Sequence, residues 1–103
     1  MDIEKAKELC MQKKIKWSVH VAARMQERGI KREDVINCIL NGEIIEDYPY
    51  DYPTPSCLLF GYTLRSNVIH VVIGLDDDSV YVVTAYYPNR DKFESDLKTR
   101  KER

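Results

Sequence analysis

W-S-V-H-V-A-A-R-M-Q-E-R-G-I, residues 17–30, decides how the chain is read, because it sets a histidine and two arginines four residues apart along one short helix. Residues at that spacing are surface neighbours on a helix, so His20, Arg24 and Arg28 form one polar ridge. Ser18 stands where an N-cap is expected and Gly29 where a left-handed stop is expected, which bounds the helix at residues 19–28. An imidazole beside two guanidinium groups suits phosphate: arginine forks onto anionic oxygens, and histidine moves a proton near neutral pH. The alternative is a solvated face with no role beyond solubility.

The 103 residues make one domain, long enough to bury a core without metal or disulfide support. With 44% apolar and 32% charged residues, and no repeat or low-complexity tract, the composition is that of an ordinary globular domain. A net charge of -1 lacks the cationic excess of a dedicated nucleic-acid binder, so any RNA contact must rest on a local patch. Cys10, Cys38 and Cys57 are odd in number and have no C-x-x-C spacing, which argues against a disulfide framework and a zinc knuckle and leaves structural thiols. No run is apolar and long enough for a signal peptide or a bilayer span, so a cytoplasmic protein without membrane contact is expected.

Outward from the central helix, residues 2–14 carry Ile3, Ala6, Leu9 and Cys10 at helical intervals and residues 31–40 carry Val35, Ile36, Ile39 and Leu40, giving two more helices. Residues 43–48 read as a strand centred on Ile44-Ile45. The following Y-P-Y-D-Y-P-T-P, with three prolines, is a loop whose Tyr48, Tyr50 and Tyr52 either stack on nucleobases, at about 1–3 kcal/mol each, or fold back onto the sheet. Segments 57–65, 68–75 and 79–87 describe an antiparallel meander, and residues 91–99 a closing helix with Phe93 and Leu97 inward. The expected architecture is α+β: N-terminal helices and a C-terminal helix packed on one face of a roughly four-stranded antiparallel sheet.

A two-residue hairpin loop at Ser66-Asn67 would pair Arg65 with Val68, Thr63 with His70 and Gly61 with Val72, gathering polar side chains over small residues on one face as a candidate cleft. Leu58, Phe60, Tyr62, Leu64, Ile69, Val71, Ile73 and Leu75 would then form the core face. A three-residue loop at 76–78 places Thr84 beside His70 and Tyr86 on the same face, and a two-residue loop reverses that. The bland alternative for His70 is a half-buried strand residue bonded to a neighbour. The three consecutive aspartates make a solvated turn rather than a cation site, since adjacent side chains in a tight turn cannot all reach one ion.

In order along the chain, H-x-x-x-R-x-x-x-R-G-I at 20–30, G-E-I-I-E at 42–46, a proline-rich loop, I-H-V-V at 69–72 and T-A-Y-x-P at 84–88 resemble a family of small bacterial proteins, DUF 4258, a domain of unknown function grouped with RelE- and BrnT-like toxins. The resemblance implies a RelE-like fold with helices on one side of an antiparallel sheet. It also implies a metal-independent, cofactor-free ribonuclease of a toxin–antitoxin pair, with RNA, on or off the ribosome, and a cognate antitoxin as partners. Cleavage of this kind needs a base for the ribose 2′-hydroxyl, an acid for the leaving 5′-oxygen and cations for the phosphorane. On the resemblance, His20 is the base and His70 the acid, with the two roles interchangeable. Arg24 and Arg28 grip the phosphate, Tyr86 orients, and Arg65, Thr84, Arg90, Tyr50 and Tyr52 contact RNA. The reading demands that the two histidines and the arginine pair converge. Its rival is a noncatalytic module holding RNA or protein through the same arginines and tyrosine loop. A thiol enzyme is disfavoured because no cysteine lies near a histidine in sequence and Cys38 falls among core positions.

Overall fold

Three helices precede most of the sheet in the computed structural model, which describes residues 1–102. Asp2 caps α1 (Ile3–Met11) by accepting the Lys5 backbone N–H, and Ala6, Leu9 and Cys10 form its buried stripe. Helix α2 (Val19–Arg28) has the expected bounds: Ser18 Oγ accepts from Val21 N at 3.0 Å, and Gly29, at φ 68°, reverses the chain so that its N–H and that of Ile30 bond to the carbonyls of Gln26 and Met25. In α3 (Arg32–Asn41) the buried Asp34 accepts from Lys31 N at 2.9 Å and from Leu64 N at 3.0 Å. One carboxylate therefore both starts this helix and ties it to a distant loop.

The sheet has five strands, β1 (Ile15–Trp17), β2 (Glu43–Tyr48), β3 (Ser56–Tyr62), β4 (Val68–Leu75) and β5 (Val80–Tyr86), in the spatial order β1-β5-β4-β3-β2. Four are antiparallel neighbours, as expected. The fifth, β1, is not among the expected strands, and it pairs parallel to β5 over Val80, Tyr81 and Val82, making the sheet mixed. All three helices lie on one face, where their stripes close over Cys57, Leu59, Ile69, Val71, Ile73, Val80, Val82 and Ala85. The class is α+β. Gly61 allows α3 to lie close: a Cβ there would stand 2.7 Å from Cys38 Sγ.

The hairpin register differs from the expected one by three residues. Phe60 pairs with His70, Leu59 with Val71 and Gly61 with Ile69, because the connection spans residues 63–67 rather than two. Thr63 holds that turn, its Oγ1 accepting from Arg65 N and Asn67 N and its backbone pairing with Ser66 and Asn67. An odd shift turns every β3 side chain over relative to β4. Leu58 and Phe60 therefore lie opposite the helices with His70, Leu64 is 64% exposed in the loop, and Thr63 and Arg65 do not face His70. Bulges at Ile45 in β2 and at Val83 in β5 re-phase two more strands. The first places Glu46 opposite Leu58, on the side away from the helices. The second pairs Thr84 with Val72 and leaves Tyr86 beside His70.

Residues 91–99 form no helix, and they cover the face opposite the helices instead of joining them. Asn89 Oδ1 accepts from Asp91 N and Lys92 N, and Asp96 Oδ1 from Lys98 N and Thr99 N, so two side chains take the N–H groups that a helix would use. The segment closes instead as a loop with Phe93 bridged to Arg100.

Replacing Gly61 by alanine should lower stability by about 1–3 kcal/mol through overpacking against Cys38. Urea denaturation of Gly61→Ala, Cys38→Ala and the double variant checks this, and the double variant should lose less than the sum of the singles.

Candidate functional site

His70 is fully buried at the centre of the second face. Its Nε2 lies 2.6 Å from the Leu97 carbonyl, which can only accept, so Nε2 carries the proton; in the neutral ring Nδ1 is then the acceptor for the Tyr86 hydroxyl at 3.2 Å. Phe93 meets the imidazole edge to face at 4.7 Å between centroids. Desolvation by burial holds the proton affinity of His70 below its ordinary value, opposed by the Leu97 carbonyl and the Glu46 carboxylate. The ring is therefore kept neutral, and its tautomer is set by its partners.

Polar ties fasten the covering segment around this ring. Arg100 makes two bonds to Glu46, at 2.9 and 3.0 Å, and stacks over Phe93, while Lys98 pairs with Glu43 and stands over Phe60. The Arg100 guanidinium is the chief reason that the Glu46 carboxyl is held below its usual range. Both glutamates come from β2, and the bulge at Ile45 is what lets Glu46 face the segment.

Beside the histidine, where β5 ends, a cleft of about 500 Å³ is lined by Arg28, Tyr86, Tyr87, Asn89, Lys92 and Arg100 over Phe93. Strand β1 covers β5 only as far as Val82, so the last part of β5 has an open edge, and there Arg28 Nη1 donates to the Ala85 carbonyl at 2.8 Å. Burial raises the Tyr86 hydroxyl above its ordinary value, which keeps it a proton donor toward His70. Arg100 is paired with Glu46, whereas neither Arg28 nor Lys92 enters an ion pair among the described residues. Two cations outside any ion pair thus share a cleft with a tyrosine whose hydroxyl is bonded to a neutral imidazole. Such an array can hold an anion and move a proton.

Of the residues singled out from sequence, Arg28, His70 and Tyr86 are brought together and the others are not. His20 is exposed on α2, in the layer on the other side of the sheet from His70, so the two histidines do not converge. Arg24 is exposed, pairs with Glu27 and does not line the cleft. Arg65 borders a separate recess with Asp34 and Thr63, Thr84 sits two pairs along from the His70–Tyr86 pair, and Arg90 is exposed just past the end of β5. Tyr50 and Tyr52 stand in solvent on the proline-rich loop, away from the cleft. Lys92, which does line it, falls in the stretch read as a closing helix, and Asn89 and Arg100 fall just outside that stretch, where nothing in the spacing marks them. The thiols are inert: burial pushes Cys38 and Cys57 up to about 12 and raises Cys10. Asp76 is occupied in its own turn, accepting from Asp78 N, Ser79 N and the Tyr81 hydroxyl.

Fold and cleft together define a small α+β domain with a cationic pocket at the open end of its last strand, lined by a tyrosine whose hydroxyl is bonded to a buried histidine. The model of the domain of unknown function DUF4258 matches residues 17–87, and the chain belongs to that family. No curated protein and no solved structure matches it. Arg28, His70 and Tyr86 lie inside the matched stretch, whereas Lys92, Phe93, Leu97 and Arg100 lie beyond its end. Among the described residues no helix is long and apolar enough to cross a membrane.

A histidine whose folded-state proton affinity is lowered stabilises the protein fully above its unfolded value near 6.5, and that contribution is lost as pH falls through the folded value. Urea denaturation between about pH 7.5 and 5.5 should therefore show stability falling on acidification. His70→Gln, less stable throughout, should show a flatter dependence.

Proposed function

We propose that the chain is a metal-independent ribonuclease of a toxin–antitoxin pair, acting in the cytoplasm, in which Tyr86 and His70, rather than two histidines, do the proton chemistry. The observation that carries this reading is the His70 Nδ1 to Tyr86 Oη contact, made by a tyrosine that lines a cleft with Arg28 and Lys92. Tyr86 takes the proton of the ribose 2′-hydroxyl as its own proton passes to Nδ1 of His70, so His70 needs no contact with RNA. The 2′-oxygen bonds to phosphorus, the bond from phosphorus to the 5′-oxygen breaks, and Lys92 protonates the departing oxygen. The products are a 2′,3′-cyclic phosphate and a 5′-hydroxyl. Arg28 and Lys92 offset charge on the phosphorane, while the imidazolium is stabilised by the Leu97 carbonyl and the ionised Glu46. The antitoxin partner rests on the resemblance to RelE- and BrnT-like toxins alone.

One observation favours a second reading, a noncatalytic RNA-binding module. His70 is sealed beneath Phe93 and resists protonation, which raises the cost of the relay. The two part in an assay on single-stranded RNA in chelator. A ribonuclease yields cyclic-phosphate ends, and Tyr86→Phe, which keeps the ring and removes the hydroxyl, lowers the rate by about 10²–10⁴-fold. Intact RNA that is nonetheless bound, with a slope of log affinity on log salt of about -1.4 for two phosphate contacts and weaker binding in Arg28→Ala, would identify the module. Absence of both cutting and binding would sink either reading. Induced expression adds a test of the toxin pairing: growth should arrest and recover when the product encoded beside the gene is co-expressed.

A further inference from the structure

A second cavity, of about 530 Å³, opens on the same face as His70 but at the other end of β4, where Gly74 pairs with Tyr81. Four residues of strand separate the two positions along β4, roughly 13 Å. Tyr52, Pro53, Tyr81 and Val83 give it aromatic and aliphatic walls, and Asp51 and Asp76 give it two carboxylates. Tyr52 is 94% exposed and Val83 55%, the latter turned out by the β5 bulge, so large apolar surfaces stand bare at the rim.

Neither carboxylate is in an ion pair among the described residues. Asp76 is clamped by three donors from its own turn and Tyr81, with the Lys16 charge nearby, and Asp51 is held by the Ser56 hydroxyl, so both carboxylates are positioned and outside any ion pair. Lys16, from β1, stands over the Tyr81 ring at 5.3 Å, so one ring bordering the cavity already receives a cation. The setting repels phosphate, unlike the cationic cleft. It suits instead a planar cation that stacks on a ring while its N–H groups fork onto carboxylates.

We propose that this cavity binds an arginine side chain presented by a basic, extended peptide segment of a partner protein, the guanidinium stacked on Tyr52 and bonded to Asp51 and Asp76. The site is independent of the RNA cleft, and failure at one says nothing of the other. Titrating the ¹⁵N-labelled chain with the peptide Gly-Arg-Gly-Arg-Gly, and with the same peptide carrying citrulline for arginine, tests it. Saturable amide shifts at Thr54, Gly74, Tyr81 and Val83 are expected with arginine and absent with citrulline at up to about 20 mM, a range that covers millimolar affinities. Asp51→Asn should raise the dissociation constant at least about tenfold, and Tyr52→Ala should do likewise; Tyr52 is exposed, so the variant's fold can be confirmed from its dispersed spectrum. Equal shifts with citrulline, shifts confined to other residues, or none at all would overturn the proposal. Movement of the same amides with protein concentration alone would do so too, by making a second copy of the chain the occupant.

Discussion

The hydrogen bond from His70 Nε2 to the Leu97 carbonyl is the contact on which the second half of the structure depends. Helices cover one face of the sheet and leave Leu58, Phe60 and His70 uncovered on the other, an area too apolar to face water comfortably. A segment without regular structure can cover it only if something fixes where it crosses, and the imidazole does so by taking a backbone carbonyl on one side and the Tyr86 hydroxyl on the other. Phe93 then fills the space over the ring, and Arg100 and Lys98 reach the two glutamates of β2. The cleft exists because this cover stops short of the end of β5. What makes the face stable also frames the candidate chemistry.

Much of this architecture is written locally and was legible. Ser18 and Gly29 bound α2 through capping and φ, both properties of single residues, and the apolar intervals of α1 and α3 report which side meets the sheet. Register is another matter. It is set by how Thr63 organises a five-residue turn, and no alternation in β3, nearly all apolar, distinguishes one face from the other. The bulges at Ile45 and Val83 compound the difficulty, since an inserted residue leaves no mark in composition. β1, at three residues, is too short to show a period, and its partner lies far along the chain.

The site was legible in part for the same reason. Arg28 and Tyr86 sit at the ends of elements whose bounds were readable, so their meeting follows from the fold. His20 and Arg24 share a ridge with Arg28, yet only its last member reaches the edge of the sheet, because a helix carries successive residues of a ridge along its own axis and away from the strand end. Lys92 and Arg100 depend on a loop held by Asn89 and Asp96, whose effect on the backbone overrides the helical look of Phe93 and Leu97. Net charge is silent on placement in the same way: -1 is a sum over the whole chain, and it does not show that a cationic cleft and an acidic cavity share one face.

The two sides of the sheet are held by different forces. Dispersion and the burial of Val, Ile and Leu secure the helical layer, whereas ion pairs, two stacked cations and one imidazole secure the C-terminal cover. Ionic strength weakens forces of the second kind and strengthens those of the first. The molecule is therefore built with two sides that respond oppositely to salt, and its most protected amides are expected in the core strands β3 and β4 rather than in the chain that crosses them.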